Sequence, residues 1–470
     1  MHSPTPAATR AVLVGVVLPD VADDAAQASL DELARLAETL GLQVVARLLQ
    51  RRTHLRGGTV LGTGKLRELG RLTGGSGVVP AGASQRQTGA LPKAPDDEEL
   101  PTEEEVAADE FDDDTQRAAD EDDSAVHAGV VIFDQELTPS QLHNLEGATS
   151  AEVLDRSALI LRIFARHARS REARLQVEIA QLKYLVPRLR VSSRGRDRQR
   201  GGIGGKGAGE SALELDRRRV RDRIAELEQE LQVVATEANL RRGRRAEHQT
   251  VALVGYTNAG KSSLMRRLTA SDVLVKDQLF ATLDTTVRHL QPATRPPILI
   301  SDTVGFIKKL PHDLVASFRS TLEEAKEATL LLHVIDAADP MWQQQRDVTL
   351  SVLAELGADN RPLLTVFNKI DLLAPAAVDE LTARHSAAVA ISALRPDDIS
   401  ALHARIVAFF ERDMIEAELF VPYRLQRIVH VIHTTCRVLT QRHDDLGSTI
   451  TVRAAAETVE TLQRQLAEAD

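Results

Sequence analysis

The sequence predicts an α/β protein of several domains, and three observations carry that prediction. At 470 residues the chain is too long for one hydrophobic core. Short apolar runs alternate with helical patterns near the N-terminus and again through the middle, the rhythm of parallel sheets covered by helices. Between those stretches lies a long helical segment interrupted by arginine and glycine. The expected divisions are a small parallel α/β domain over 1–170, a helical hairpin over 171–247, a second α/β domain over 248–412 and a small α+β tail over 413–470.

In the first division, Ala11–Leu18 and Gln43–Leu49 read as buried strands. A helix over Leu30–Leu40 joins them and Gly41 ends it. Gly129–Phe133 supplies another strand, and Pro139–Leu145 opens another helix. Periodicity vanishes from Thr73 to His127. Gly, Pro, Ser, Asp and Glu dominate there, so burial cannot offset the entropy of ordering, and a disordered acidic insertion is expected over about 74–127. Its centre, 96–123, holds 16 acids and one base, Arg117. Removing that −15 from the chain's −10 leaves the remainder at about +5, a mildly basic protein with one acidic load.

The composition excludes several classes. One cysteine, Cys436, leaves no internal disulfide and fits a reducing, cytoplasmic setting, with transient membrane association at most. No apolar run reaches the roughly 18–20 residues of a membrane span, and Ala11–Leu18 meets Pro19 and Asp20 too soon for a signal peptide. Aromatic content of 3% makes stacking an unlikely main grip on nucleic acid.

In the helical segment, Leu175, Ile179, Leu182 and Val186 form one apolar seam; Val220, Ile224, Leu227, Leu231 and Val234 form another. The two read as an antiparallel hairpin. Its glycine-rich tip carries Arg188, Arg190, Arg194, Arg196, Arg198 and Arg200, with Lys206 beyond and only Asp197 among them. Such crowding is relieved when phosphates replace counterions, so RNA held by shape and backbone is the expected partner. Gly202–Gly207 satisfies the dinucleotide pattern G-x-G-x-x-G, but no strand precedes it. Gly62-Thr-Gly-Lys65 lacks the magnesium hydroxyl and reads as a turn starting a helix.

The second α/β division carries the chemistry. Gly255, Tyr256, Thr257, Asn258, Ala259, Gly260, Lys261 and Ser262 match G-x-x-x-x-G-K-[ST] between a strand and a helix. Backbone N–H groups of such a loop curl around a β-phosphate; Lys261 would bridge the β- and γ-phosphates and Ser262 would hold Mg²⁺. Asp302, Thr303, Val304 and Gly305 end another strand, where Asp302 would reach Mg²⁺ through water and the Gly305 N–H would sense the γ-phosphate. Asn368, Lys369, Ile370 and Asp371 follow a strand. The Asp371 carboxylate can accept both guanine donors, a pattern adenine lacks, so GTP is the expected substrate, with GDP as its product. Ser392, Ala393 and Leu394 would bring a backbone N–H to the guanine O6. Phe280, Ala281, Thr282, Leu283 and Asp284 supply the first switch, with Thr282 as second Mg²⁺ ligand and Thr285 and Thr286 as rivals. The fold implied is a P-loop GTPase. Phe306 follows Gly305 where many GTPases place a water-orienting glutamine, so slow intrinsic hydrolysis is expected. The remaining strands read as Thr250–Val254, Pro297–Ser301, Thr329–Ile335, Pro362–Phe367 and Ala387–Ile391. The tail reads as a helix over Leu425–Leu439, a turn at Asp444–Gly447, a strand Thr449–Val452 and a closing helix.

Over nearly its whole length the chain resembles the HflX family of ribosome-associated GTPases. The resemblance is carried by Leu175–Arg188, Gly201–Glu210, Asp216-Arg-Arg, Val254–Lys261, Phe280–Asp284 and Asp302–Phe306. It implies a monomeric GTPase on the large ribosomal subunit and its rRNA that separates stalled or stress-damaged ribosomes, with the helical tip and N-terminal domain near the peptidyl-transferase region. It also supports Ser262 and Thr282 as Mg²⁺ ligands; with the motifs, the expected catalytic groups are Lys261, Thr282 and Gly305. The acidic insertion, and Ala208 with Ser211-Ala212 in the tip, depart from the family pattern. Two other readings remain open from residues alone: an ATP-driven RNA remodelling enzyme, and a nucleotide-stabilised rRNA-binding scaffold with negligible turnover.

Overall fold

A computed structural model describes residues 9–55, 57–80, 127–192, 212–243, 249–270, 279–280, 286–308 and 324–468. Its contacts form two compact units, Met1–Arg166 with Val177–Glu228 and His167–Gln176 with Gln229–Asp470.

The first unit is built on β1 (Arg10–Val17), α1 (Asp23–Thr39), β2 (Gln43–Arg51), α2 (Thr63–Thr73), β3 (Val130–Phe133), α3 (Pro139–Thr149), β4 (Glu152–Asp155) and α4 (Arg156–His167). Its four strands are all parallel in the order β2-β1-β3-β4. Central β1 is apolar along its length because both of its faces are covered. Val12, Val14, Val131 and Phe133 meet Leu66 and Leu69 of α2 and Leu145 of α3 on one face. The entry to α3 is specified locally: Thr138 and Gln141 form a reciprocal capping box with Pro139 in the first turn. Expected to be buried, β2 instead lies at the sheet edge, with Val45 and Leu49 partly exposed. A short apolar run does not say how many neighbours its strand has.

Two helices follow, α5 (Arg171–Ser192) and α6 (Ala212–Gly243), and each passes from one unit into the other. Leu175, Ile179 and Leu227 are buried, so both seams face protein. Within the first unit the helices are linked by Glu178–Arg223 (3.0 Å) and Lys183–Glu228 (2.8 Å). In the second unit Arg171 of α5 pairs with Glu230 of α6 (3.1 Å).

Arg188 has a different occupation from the one expected. Its guanidinium pairs with fully buried Asp155 (2.8 Å), donates to the Leu137 carbonyl (3.1 Å) and lies over the Tyr184 ring. Asp155 also accepts from the Tyr184 hydroxyl and the Ala158 N–H, both at 2.8 Å. Burial, then the Asp155 charge, pushes the Tyr184 phenol far up, so it stays a donor. Arg188 therefore anchors α5 to β4 and is not a solvent-facing cation of the tip. The Arg190 side chain, Arg194, Arg196, Arg198, Arg200 and Lys206 lie outside the described residues.

The second unit holds β5 (Gln249–Val254), α7 (Lys261–Thr269), β6 (Thr286–His289), β7 (Ile298–Asp302), β8 (Leu330–Asp336), α8 (Trp342–Glu355), β9 (Leu363–Asn368), α9 (Pro375–Arg384), β10 (Val389–Ala390) and α10 (Pro396–Glu411). The sheet order is β10-β9-β8-β5-β7-β6, parallel except for β6. That edge strand escaped the sequence reading because its four residues, Thr-Val-Arg-His, carry no apolar run. The unit continues with β11 (Met414–Pro422), α11 (Gln426–Thr435), β12 (Arg437–His443), β13 (Gly447–Ala455) and α12 (Ala456–Glu468). Its sheet is antiparallel in the order β11-β13-β12. The helix expected over Leu425–Leu439 stops at Thr435. Arg437–Leu439 is strand, as β-branched Thr434, Thr435 and Val438 favour.

Asp155→Ala leaves a buried guanidinium and phenol without their acceptor. We expect it to destabilise the first unit by about 3–5 kcal/mol in denaturant unfolding, with Asp155→Asn costing less.

Candidate nucleotide site

Apart from Phe280, the described motif residues expected to touch nucleotide stand at or just beyond the carboxyl ends of the parallel strands. Gly255 follows central β5, Asp302 ends β7, Asn368 ends β9 and Ser392 follows β10. That is where open α/β sheets bind ligands.

The loop from Gly255 to Gly260 is folded for the purpose. Gly255 has φ 147° and Gly260 φ 92°, and Asn258 adopts a left-handed φ of 61°. A Cβ on Gly255 would stand 2.2 Å from the Val334 carbonyl oxygen, and one on Gly260 would stand 2.2 Å from Asn368 Nδ2. Both glycines are dictated by close approach as well as by dihedral. Lys261, at the start of α7, is buried and donates to the carbonyls of Gly255 (2.9 Å) and Tyr256 (2.8 Å). Burial pushes its ammonium down to about 8, with Asp302 pulling it partly back. A cation held chiefly by two neutral carbonyls is short of negative charge, which a phosphate chain can supply.

Ser262 Oγ donates to Asp302 Oδ2 at 2.7 Å. A hydroxyl and a fully buried carboxylate side by side are hard oxygen donors that fit Mg²⁺. Beyond Asp302 the chain lies on the phosphate loop: the Phe306 N–H donates to the Gly255 carbonyl (3.1 Å) and the Thr257 N–H to the Phe306 carbonyl (2.8 Å). The Tyr256 hydroxyl accepts from the Lys308 N–H at 2.7 Å. A Cβ on Gly305 would stand 3.0 Å from Lys261 Nζ, so this backbone lies beside the place for a terminal phosphate. Thr303 and Val304 are buried, and Thr303 Oγ1 bonds the Leu253 carbonyl (2.7 Å). Phe306 packs inward with Ala252, Val254, Ala328, Leu331 and Leu353. The ring faces core, away from any attacking water.

On the base side, Asn368 is the staple. Its Nδ2 donates to the Ala259 carbonyl (2.9 Å) and its Oδ1 accepts from the Ala393 N–H (3.0 Å), tying the phosphate loop to both base loops. Lys369 has φ 63° and pairs with Asp336 at 2.7 Å. Asp371 is exposed and Ile370 half-buried, leaving the carboxylate open to a base. All three N–H groups expected near O6 already donate inside the protein: Ser392 to Asp398, Ala393 to Asn368 and Leu394 to Ser392 Oγ. Sequence reasoning missed Asp336 and Asp398, because their roles depend on residues distant in sequence and no local motif marks them.

Phe280 is buried with φ 57°. Ala281, Thr282, Leu283 and Asp284 lie outside the described residues, as does the rival Thr285; the other rival, Thr286, begins β6. Among the described residues no helix is long and apolar enough to cross a membrane.

Gly260→Ala forces a Cβ into Asn368 at a left-handed φ. We expect GDP and GTP affinity to fall at least about tenfold by calorimetry, since strain of about 1–3 kcal/mol adds to the broken staple.

Residues 167–245 match the family described as GTP-binding GTPase Middle Region, 250–369 match 50S ribosome-binding GTPase, and 27–79 with 116–165 match GTP-binding GTPase N-terminal. A curated relative, GTPase HflX of Gluconacetobacter diazotrophicus, is 52% identical over 468 residues, covering 97% of this chain and 98% of its own. GTPase HflX of Magnetococcus marinus is 36% identical over 460 residues, covering 97% and 95%. Among solved structures, a GTP-binding protein from Sulfolobus solfataricus in complex with GDP is 21% identical, covers 85% of this chain and 99% of that one, and has a TM-score of 0.40. With its nucleotide loop, its staple and its full-length likeness in view, this chain belongs to the HflX family of GTPases.

Proposed function

We propose that this GTPase binds the large ribosomal subunit and its rRNA, and separates or rescues stalled or stress-damaged ribosomes, with GTP hydrolysis as its switch. The observation that carries the switch is the docking of Gly305–Phe306 against the phosphate loop beside Lys261, since a γ-phosphate arriving there must move that backbone. The ribosomal half is supported by the match of residues 250–369 to a family described as 50S ribosome-binding GTPase.

In this reading the loop N–H groups hold the β-phosphate and Lys261 reaches both β- and γ-phosphates. Ser262 and Thr282 would hold Mg²⁺, whose charge would offset that of the phosphates, and Asp302, which accepts from Ser262, would reach the ion through water. Asp371 accepts the two guanine donors. Water attacks the γ-phosphorus in line as its bond to the bridging oxygen breaks, giving GDP and inorganic phosphate that carries the water's proton. Stabilisation is electrostatic, and no covalent intermediate is needed. With Phe306 turned into the core, the attacking water is oriented by another group once the ribosome rearranges the switches. Arg194, Arg196 and Arg198, with Arg190, Arg200 and Lys206, meet rRNA phosphates.

Co-sedimentation with large subunits in GTP, GDP and a non-hydrolysable analogue tests the reading. We expect tight binding with GTP and the analogue, weak binding with GDP, and subunit-stimulated phosphate release; binding indifferent to nucleotide would sink the switch. Reversing charge at Arg194, Arg196 and Arg198 should weaken that binding and flatten its salt dependence. Phe306→Ala opens a cavity beneath the second switch and is expected to reduce stimulated turnover by about tenfold; unchanged rates would leave the ring without a role.

A further inference from the structure

The C-terminal sheet carries a cavity that the GTPase cycle does not use. About 420 Å³ in volume, it opens between α11 and one end of the three strands. The register explains why it exists. Ala417, Val452 and Val438 form one row across the helix-covered face, and Leu419, Ile450 and Gln441 form the next. Their apolar members belong to the core. The last row is Val421, Ser448 and His443, so with Gln441 polar side chains replace apolar ones on β12 and β13 at this end.

The polar groups are held in place from behind. Ser448 Oγ lies 2.8 Å from His443 Nδ1, and His433 Nε2 lies 3.2 Å from Gln441 Oε1. Among the described residues, the second ring nitrogen of His433 and of His443, and both of His430, have no hydrogen-bond partner. Arg295, from the turn between β6 and β7, donates to the His433 carbonyl at 2.6 Å and fixes this wall to the nucleotide-binding sheet. Tyr423 completes the rim, its hydroxyl bonded to the Asp444 carbonyl (2.9 Å).

Charge narrows the ligand. No carboxylate lines the cavity; from Tyr423 to His443 the sequence has four arginines and three histidines but no Asp or Glu, and one of those arginines, Arg437, pairs with Glu411. The nearest acid in sequence, Asp444, spends its Oδ1 on the N–H groups of Leu446 and Gly447. No cluster among the described residues could hold a metal ion, so the imidazoles are not a ligand set. What they offer is aromatic faces and hydrogen-bonding edges within a basic segment. Single-stranded RNA is recognised by this chemistry, with bases splayed out to stack on aromatic or histidine rings while cations meet the phosphates. The volume lies near the small end of ligand pockets, which run from about 300 to 1,000 Å³, and suits one nucleotide better than a helix.

We propose that this cavity receives one unpaired RNA nucleotide, its base against Tyr423 and His430. The site goes beyond the ribosomal reading and shares with it only the class of partner. The test is photo-crosslinking of the full-length, GDP-loaded protein to a 4-thiouridine-containing oligouridylate, with the adducts mapped to peptides. We expect an adduct within 423–448 that survives charge reversal at Arg194, Arg196 and Arg198. It should drop about tenfold in His430→Ala and in Gln426→Ala, both at exposed positions of α11, with melting temperature and GDP affinity unchanged. Adducts confined to 188–210, or a C-terminal adduct undiminished in both variants, would overturn the proposal. Competition by uridine monophosphate as strong as by the oligonucleotide would also overturn it, by assigning the cavity to a free mononucleotide. Nucleotide-dependent large-subunit binding that persists in either outcome keeps the two readings separate.

Discussion

A buried ammonium whose hydrogen-bond partners among the described residues are neutral carbonyls is the constraint on which the nucleotide site depends. Lys261 sits at the mouth of α7 with two carbonyls as direct partners. Isolating such a charge costs several kcal/mol unless something repays it. The surroundings make the loan possible: Gly255 and Gly260 let the loop close around the side chain, and Asn368 holds the loop from the far side. The same cost gives the pocket its preference for phosphates, because a phosphate chain brings the charge that the carbonyls lack. On the far side Asn368 ties the phosphate loop to the loop after β10, and Asp371 stands exposed nearby in sequence.

Legibility of the fold followed the strength of local signals. Buried parallel strands such as β5, β7 and β8 read directly from apolar runs, since both faces of such a strand are covered. Polar β6 and half-exposed β11 did not, because a strand with one face in water and glutamates on it looks like a helix or a loop. In the site, residues that act through their own backbone or fixed spacing, from Gly255 to Ser262 and from Asn368 to Asp371, were legible as motifs. Asp336 and Asp398 were not, because they matter only through a partner brought near by folding. Arg188 shows the converse. In sequence it belongs to a run of arginines; in space its charge is consumed by Asp155, whose place at the end of β4 no local pattern announces.

Arg188 also changes how the basic run should be understood. The cation nearest the folded body is spent on structure, fastening α5 to the first sheet through Asp155 and Tyr184. The cations farther along, Arg194, Arg196, Arg198 and Arg200, lie outside the described residues.

Phe306 joins the two halves of the argument. Many GTPases use the residue after the DxxG glycine to aim water, but here the ring is part of the apolar layer beneath β5 and β8. Its backbone, not its side chain, faces the loop, through bonds to Gly255 and Thr257. Anything that lifts Gly305 to make room for a third phosphate therefore pulls on a core side chain, and anything that repacks that core pulls on Gly305. The position has exchanged a chemical task for a mechanical one.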